Sequence, residues 1–202
     1  MQRPGPDSTA SHDGSPYHHG DLRRALIAAG QTLLAEGGPS GVSLREVARA
    51  AGVSHNAPYR HFESREALLA AIATDGFERL SDRIAATEAN ANDIDRLIAT
   101  GRAYITFAIE VPSLYRLMFS SEVRKAAFPA LGAAADRTYA QLTAALPSSP
   151  ATPRGVTLGA WALVHGFADL LTSGQLSDDL QGKLREEAID HMLRAYARGA
   201  AR

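Results

Sequence analysis

The stretch Ser43–Arg65, SLREVARAAGVSHNAPYRHFESR, decides how the rest of the chain is read. Ser43 stands where a helix N-cap belongs, and Glu46 follows at the spacing of a capping box. Val47, Ala48 and Ala51 put small apolar groups on one face. Gly52 then closes the helix, where a residue of positive φ is wanted. Val53 turns back toward a core, and His55–His61 reads as a short polar and aromatic second helix. Two short helices joined by a Gly-containing turn make the pattern of a helix-turn-helix. Such a unit lays its second helix in the major groove of duplex DNA. The rest of the chain is expected to position or control it.

Bulk properties narrow the alternatives. The 202 residues suffice for a substantial core. With no cysteine, disulfides and thiolate chemistry are excluded. No uninterrupted apolar run approaches ~18 residues, so no membrane span is expected. The N-terminal charges precede no apolar segment of a secretory signal, and a cytoplasmic protein is expected. Net charge is −1, yet Gly41–Arg65 carries four arginines (Arg45, Arg49, Arg60, Arg65) against Glu46 and Glu63, with His55 and His61 besides. That is a mildly positive face. The chain holds only 2 lysines among its 21 basic residues, a bias that accompanies its high alanine content.

Outward from the central stretch, residues 1–16 are rich in Pro, Gly, Ser and Asp and read as a disordered arm. Leu22, Leu26, Ala29, Leu33 and Leu34 recur at helical spacing over Asp21–Glu36, and Gly37-Gly38-Pro39 stops that helix. Ser64 caps a long helix to about Thr87. Further helices are expected over Ile94–Glu110, Ser113–Phe119, Ala130–Leu146, Gly155–Thr172 and Asp178–Arg198. Gly155–Thr172 is apolar almost all round, the mark of burial on more than one side. No strand pattern and no internal repeat is found.

With these residues in hand, the block Tyr17–Ile72 resembles the N-terminal DNA-binding region of the TetR family of transcriptional regulators. The resemblance rests on Ala51-Gly52-Val53, on Tyr59-x-His61-Phe62 and on Ser64-Arg65-Glu66. It implies an all-α homodimer of about nine helices. A three-helix helix-turn-helix domain would occupy residues 17–66, and a helical ligand-binding and dimerisation domain residues 67–198. Trp161, His165 and Gly166 resemble the Trp-His-Gly signature of one C-terminal subclass of that family.

A regulator needs phosphate contacts to position it and base contacts to specify sequence. Ser54, His55, Asn56 and Ala57 would open the recognition helix and face base edges. Asn56 suits adenine, and the Ala57 methyl suits a thymine methyl. Arg60 suits guanine, or else the backbone. The resemblance places Tyr59 and His61 against phosphates. Arg65 would meet a phosphate from the first turn of the long helix, with Ser43 and Arg45 across the groove. Tyr59 also suits a core aromatic with a wet hydroxyl; Phe62 suits the core and Arg49 a solvated face. His18 and His19 have no partners at zinc spacing. Pro58 stands where the resemblance has an aliphatic residue. Proline removes a backbone N–H and disfavours α geometry at the residue before it.

The second half is expected to dimerise through helices 155–172 and 178–198, with Gly159 and Gly166 allowing close approach, and so to read palindromic double-stranded DNA. Candidate ligand residues are Tyr104, Phe107, Leu114, Tyr115, Met118, Phe119, Trp161 and His165, several of which suit an ordinary core equally well. His165 also suits a core histidine bonded to Asp169. The effector is an unknown small molecule, and no other cofactor or metal is expected. Two alternatives remain open. One is a helical enzyme using His165, Asp169 and Tyr104, for which no nucleophile motif, metal set or phosphate loop is found. The other is an architectural DNA-binding protein, which would want a more basic surface.

Overall fold

A computed structural model describes residues 19–87, 93–146, 154–176 and 182–200. The arm expected over 1–16, and the start of the last helix expected at Asp178, lie outside these residues. Among them the chain forms eight α-helices and three single 3-10 turns, with no strand. The helices are α1 (His19–Gly37), α2 (Leu44–Ala50), α3 (Arg65–Ala85), α4 (Asp93–Glu110), α5 (Pro112–Phe119), α6 (Pro129–Ala144), α7 (Arg154–Thr172) and α8 (Gly182–Ala200). The ends follow local chemistry. Ser64 Oγ accepts from the Ala67 N–H at 3.0 Å and caps α3. Pro112 and Pro129 stand at the first positions of α5 and α6, where a missing N–H costs nothing.

The long helix α3 is the axis of the fold. It packs against α1 on the head side and against α4, α5 and α6 on the body side. Leu68, Leu69, Ile72, Phe77, Leu80 and Ile84 are all buried along it. Gly76 lets α5 approach closely, because a Cβ there would stand 2.7 Å from Met118 Sδ. An outer layer of α7 and α8 covers α4. Arg102 pins α4 to α8 through Glu186 at 2.8 Å and through Asp190.

Three expectations take a definite form. The second helix of the helix-turn-helix is not an α-helix: Pro58–Arg60 is a single 3-10 turn flanked by turns. An α-helix here would use the N–H of residue 58 to bond Ser54 O, and Pro58 has none. The chain instead takes shorter steps, with Ala57 N–H on Ser54 O at 2.9 Å and Arg60 N–H on Ala57 O at 3.2 Å. Second, the boundary drawn between residues 66 and 67 falls in the first turn of α3, so head and body share one helix. Third, Gly155–Thr172 is long and apolar enough to cross a membrane by length and composition, yet only 17% of it is buried within the subunit. Its apolar pattern predicts burial on more than one side. Leu158 and Leu170 stand 55% and 38% exposed on it.

Candidate nucleic-acid interface and ligand cavity

The DNA-reading candidates sit on a rigid corner. Ser43 caps α2, its Oγ accepting from the Glu46 N–H at 3.1 Å. The return half of the capping box is replaced, because Glu46 holds Arg49 at 2.7 Å. The exit of α2 is a Schellman turn. Val53 N–H reaches Ala48 O at 3.0 Å, Gly52 N–H reaches Arg49 O at 3.2 Å, and Gly52 takes φ +67°. That turn throws Ser54, His55 and Asn56 outward, all exposed, with Ala57 half-buried. Pro58 and Phe62 are buried and anchor the segment from below. Between them Tyr59 projects 58% exposed, which removes it from the core, and Arg60 is exposed beside it. His61 is half-buried, with its ring 6.4 Å from Phe62. Arg45 is exposed on α2, and neither Arg45 nor Arg60 has an ion-pair partner among the described residues.

Arg65 has intramolecular partners that its sequence position does not announce. Its Nε donates to Val42 O at 2.9 Å and one Nη to Pro39 O at 2.5 Å, while the other Nη lies 3.5 Å from Glu122. The guanidinium fork is therefore committed to the α1–α2 loop and to the segment before α6. In this arrangement Arg65 braces the reader, with its side chain 42% exposed.

The predicted ligand residues divide. Tyr104, Tyr115, Phe119, Trp161 and His165 converge. Both phenol oxygens, of Tyr104 and Tyr115, lie 2.9 Å from His165 Nδ1. Trp161 and His165 stack at 5.3 Å and 31°, and Phe119 meets His165 at 4.6 Å. Leu114 and Met118 instead fill the gap left by Gly76. Phe107 turns to Arg79 and Arg83, each 6.0 Å from its ring. These last three are packing residues outside the cluster. Asp169 is exposed and does not bond His165, whose Nδ1 belongs to the two phenols.

Burial sets the protonation of the cluster. It lowers the His165 pKa, helped by Lys125 and opposed by Asp169. It pushes Tyr115 up to about 12 and Tyr104 further in the same direction. Near neutral pH the phenols keep their protons and the imidazole is uncharged. With the ring proton on Nε2, Nδ1 accepts from one phenol; with it on Nδ1, the ring donates to a phenol oxygen.

A cavity of about 190 Å³ opens beside this cluster, bordered by Phe77, Tyr104, Phe119, Lys125, Tyr139 and Trp161 among others. Phe77, Lys125 and Tyr139 are not among the predicted site residues. They come from α3, the turn before α6, and α6, and no local pattern links them. A larger cleft of about 630 Å³ lies elsewhere, between α1 and the α4–α5 corner, and touches only Leu114 of the predicted set. The smaller cavity is the better ligand candidate, because Tyr104, Phe119 and Trp161 of the converging cluster line it and burial shifts the Tyr104 protonation.

Comparison with known proteins fits this geometry. Residues 26–72 match the family of bacterial regulatory proteins, tetR family, and residues 97–196 match the tetracyclin repressor-like C-terminal domain. The HTH-type transcriptional regulator Rv1816 of Mycobacterium tuberculosis is 31% identical over 120 residues, 58% of this chain and 49% of that protein. The chain thus spans about half the length of such relatives. A protein of unknown function from Rhodococcus sp. RHA1 is 35% identical, with a TM-score of 0.72 over 93% of this chain and 100% of that one. A TetR variant from Acinetobacter baumannii, solved in complex with minocycline, shares the fold at 21% identity, with a TM-score of 0.60 over 90% of this chain and 94% of that one.

Proposed function

This chain belongs to the tetR family of bacterial regulatory proteins, and from that premise we propose that it is a sequence-specific transcriptional regulator. It acts in the cytoplasm as a homodimeric repressor, released from a palindromic operator by a small, largely apolar ligand. The observation that carries this reading is the exposed segment Ser54–Arg60, braced by buried Pro58 and Phe62. A tyrosine 58% exposed at the tip of a rigid turn, beside an unpaired arginine, suits phosphate and base-edge contact. Arg45 and Ser43 lie on the preceding helix, and Ser43 keeps its own O–H free to donate to a phosphate.

Dimerisation is supported by α7, an apolar helix left largely uncovered in one subunit. A second copy would hide Leu158 and Leu170 and set two readers about one DNA turn apart. The close approach at Gly159 is already used within the subunit, where a Cβ would stand 2.8 Å from the Tyr196 hydroxyl. Gly166 faces no neighbour within 4 Å and remains the place for a partner helix.

Control follows from the shared helix and from the segment before α6. Lys125 stands at the cavity, while Glu122 and Arg124 of the same segment reach Arg65 at 3.5 Å and Glu66 at 4.0 Å. A ligand that binds one arrangement of that segment better than the other biases the head.

The test is binding of the chain to the DNA upstream of its own gene at moderate salt, with and without a panel of small apolar metabolites. Specific binding by a dimer, weakened by one of them, is expected. Binding with no sequence preference overturns the reading.

A further inference from the structure

The ligand class is written in the polar groups left uncommitted around the cavity. From these we infer that the cavity takes a small planar aromatic carboxylate, its ring among the aromatic walls and its carboxylate on Lys125 Nζ. This rests on the reading of the cavity as the effector site. Size comes first. At about 190 Å³ the cavity falls below the ~300–1,000 Å³ range of drug-sized pockets, which limits the guest to one or two rings. The walls come next. Phe77 and Phe119 line it and meet at 5.4 Å and 75°, and Tyr139 and Trp161 line it and meet edge to face at 6.1 Å and 88°. Flat aromatic walls favour a flat aromatic guest through offset and edge contacts.

The charge of the guest follows by accounting for each polar group. The Thr138 hydroxyl lies 2.8 Å from Ser81 Oγ, 3.2 Å from Phe77 O and 3.1 Å from Ala134 O, and is satisfied. The Tyr104 hydroxyl is held by His165. Lys125 is different. Its ammonium stands 5.2 Å from the Phe77 ring and 5.5 Å from the Phe119 ring, the two rings that line the cavity. It has no ion-pair partner among the described residues. Asp136 also borders the cavity; it and Lys125 are both exposed, and of the two only Lys125 stands against the rings. A cationic guest would therefore meet the ammonium over its own stacking surface, and a neutral guest would leave it to solvent. A carboxylate gives it a charge-assisted partner at the cavity wall.

The chain contains one tryptophan, Trp161, and it lines this cavity, so its emission reports occupancy. The experiment titrates the full chain with benzoate, with the uncharged isostere benzamide and with the non-planar cyclohexanecarboxylate, and repeats the series on Lys125→Gln. Circular dichroism checks that the variant keeps its helices. Saturable quenching by benzoate is expected, with benzamide and cyclohexanecarboxylate each weaker by about tenfold or more. Lys125→Gln should abolish the preference for benzoate over benzamide. Equal binding of acid and amide, a preference that survives the substitution, or no saturable response to any of the three overturns the inference. Operator binding without ligand is measured on the same preparation. Its loss with carboxylate binding intact counts against the proposed function alone, and the converse counts against the ligand class alone.

Discussion

Replacing Arg65 with alanine separates two jobs that one arginine at this position could hold. Its guanidinium bonds two carbonyls, Val42 O at 2.9 Å and Pro39 O at 2.5 Å, and sits 3.5 Å from Glu122. A hydrogen bond from a charged donor contributes about 1.5–3 kcal/mol when shielded. The side chain is 42% exposed, so about 1 kcal/mol for each of the two carbonyl bonds is the fair figure. The Glu122 pair, between two half-exposed groups, adds less than about 1 kcal/mol. Arg65→Ala should therefore destabilise the chain by about 2 kcal/mol, which lowers Tm by roughly 4–8 °C at this size. Arg65→Lys should lose about half of that, since an ammonium cannot span both carbonyls as the planar fork does. The assay is thermal unfolding followed by circular dichroism, paired with operator binding across a salt series. Refutation would be a wild-type Tm for Arg65→Ala together with a salt slope reduced by about one, the signature of a lost phosphate contact.

Pro58→Leu restores the N–H that an α-helical recognition segment needs. The fold should persist, hydrogen exchange at 59–61 should slow, and operator preference should shift; unchanged preference in a competition binding assay would show that the proline does not shape readout. His165 has its pKa lowered in the folded chain, so the unfolded chain binds its proton first as pH falls. The stability it protects is present above about pH 6.5 and is lost as pH drops toward the folded value. The Tm difference between pH 7.5 and pH 5.5 should therefore be smaller in His165→Gln than in the wild type, and an equal difference counts against burial of the neutral ring. The Thr100 hydroxyl is buried without a protein partner beside a cavity of about 20 Å³. Thr100→Val should be neutral or stabilising by up to about 1 kcal/mol in chemical denaturation, whereas a loss of that size would reveal a partner for the hydroxyl.

Helix positions are readable in the sequence because they depend on near neighbours. Ser43, Gly52, Ser64, Pro112 and Pro129 each mark an end within one turn of where they stand. Local chemistry also flags Pro58, although its outcome, a 3-10 turn in place of a helix, depends on what buries Pro58 and Phe62. The site is legible only in part. Tyr104, Tyr115, Phe119, Trp161 and His165 stand out by type and spacing, and they do meet. Phe107, Leu114 and Met118 have the same character, and only the position of α3 decides that they pack elsewhere. Sequence does not show that two loop carbonyls lie within reach of Arg65. Lys125 carries one signal, its rarity in an arginine-rich chain, and nothing in sequence ties it to Phe77, 48 positions earlier.

The absence of a joint between head and body has a mechanical consequence. The 21 residues of α3 make a rod about 31 Å long. Pivoted at its C-terminal end, a tilt of about 5° carries the Ser64–Arg65 end sideways by about 2.7 Å over that length. In the proposed two-fold dimer, two such rods would change the separation of their tips by about 5 Å, set against a half-site spacing of ~34 Å. Hydrogen bonds to base edges tolerate displacements of only about 0.5 Å. On this lever a rotation of about one degree at the body is already enough to put the tips out of register with the groove.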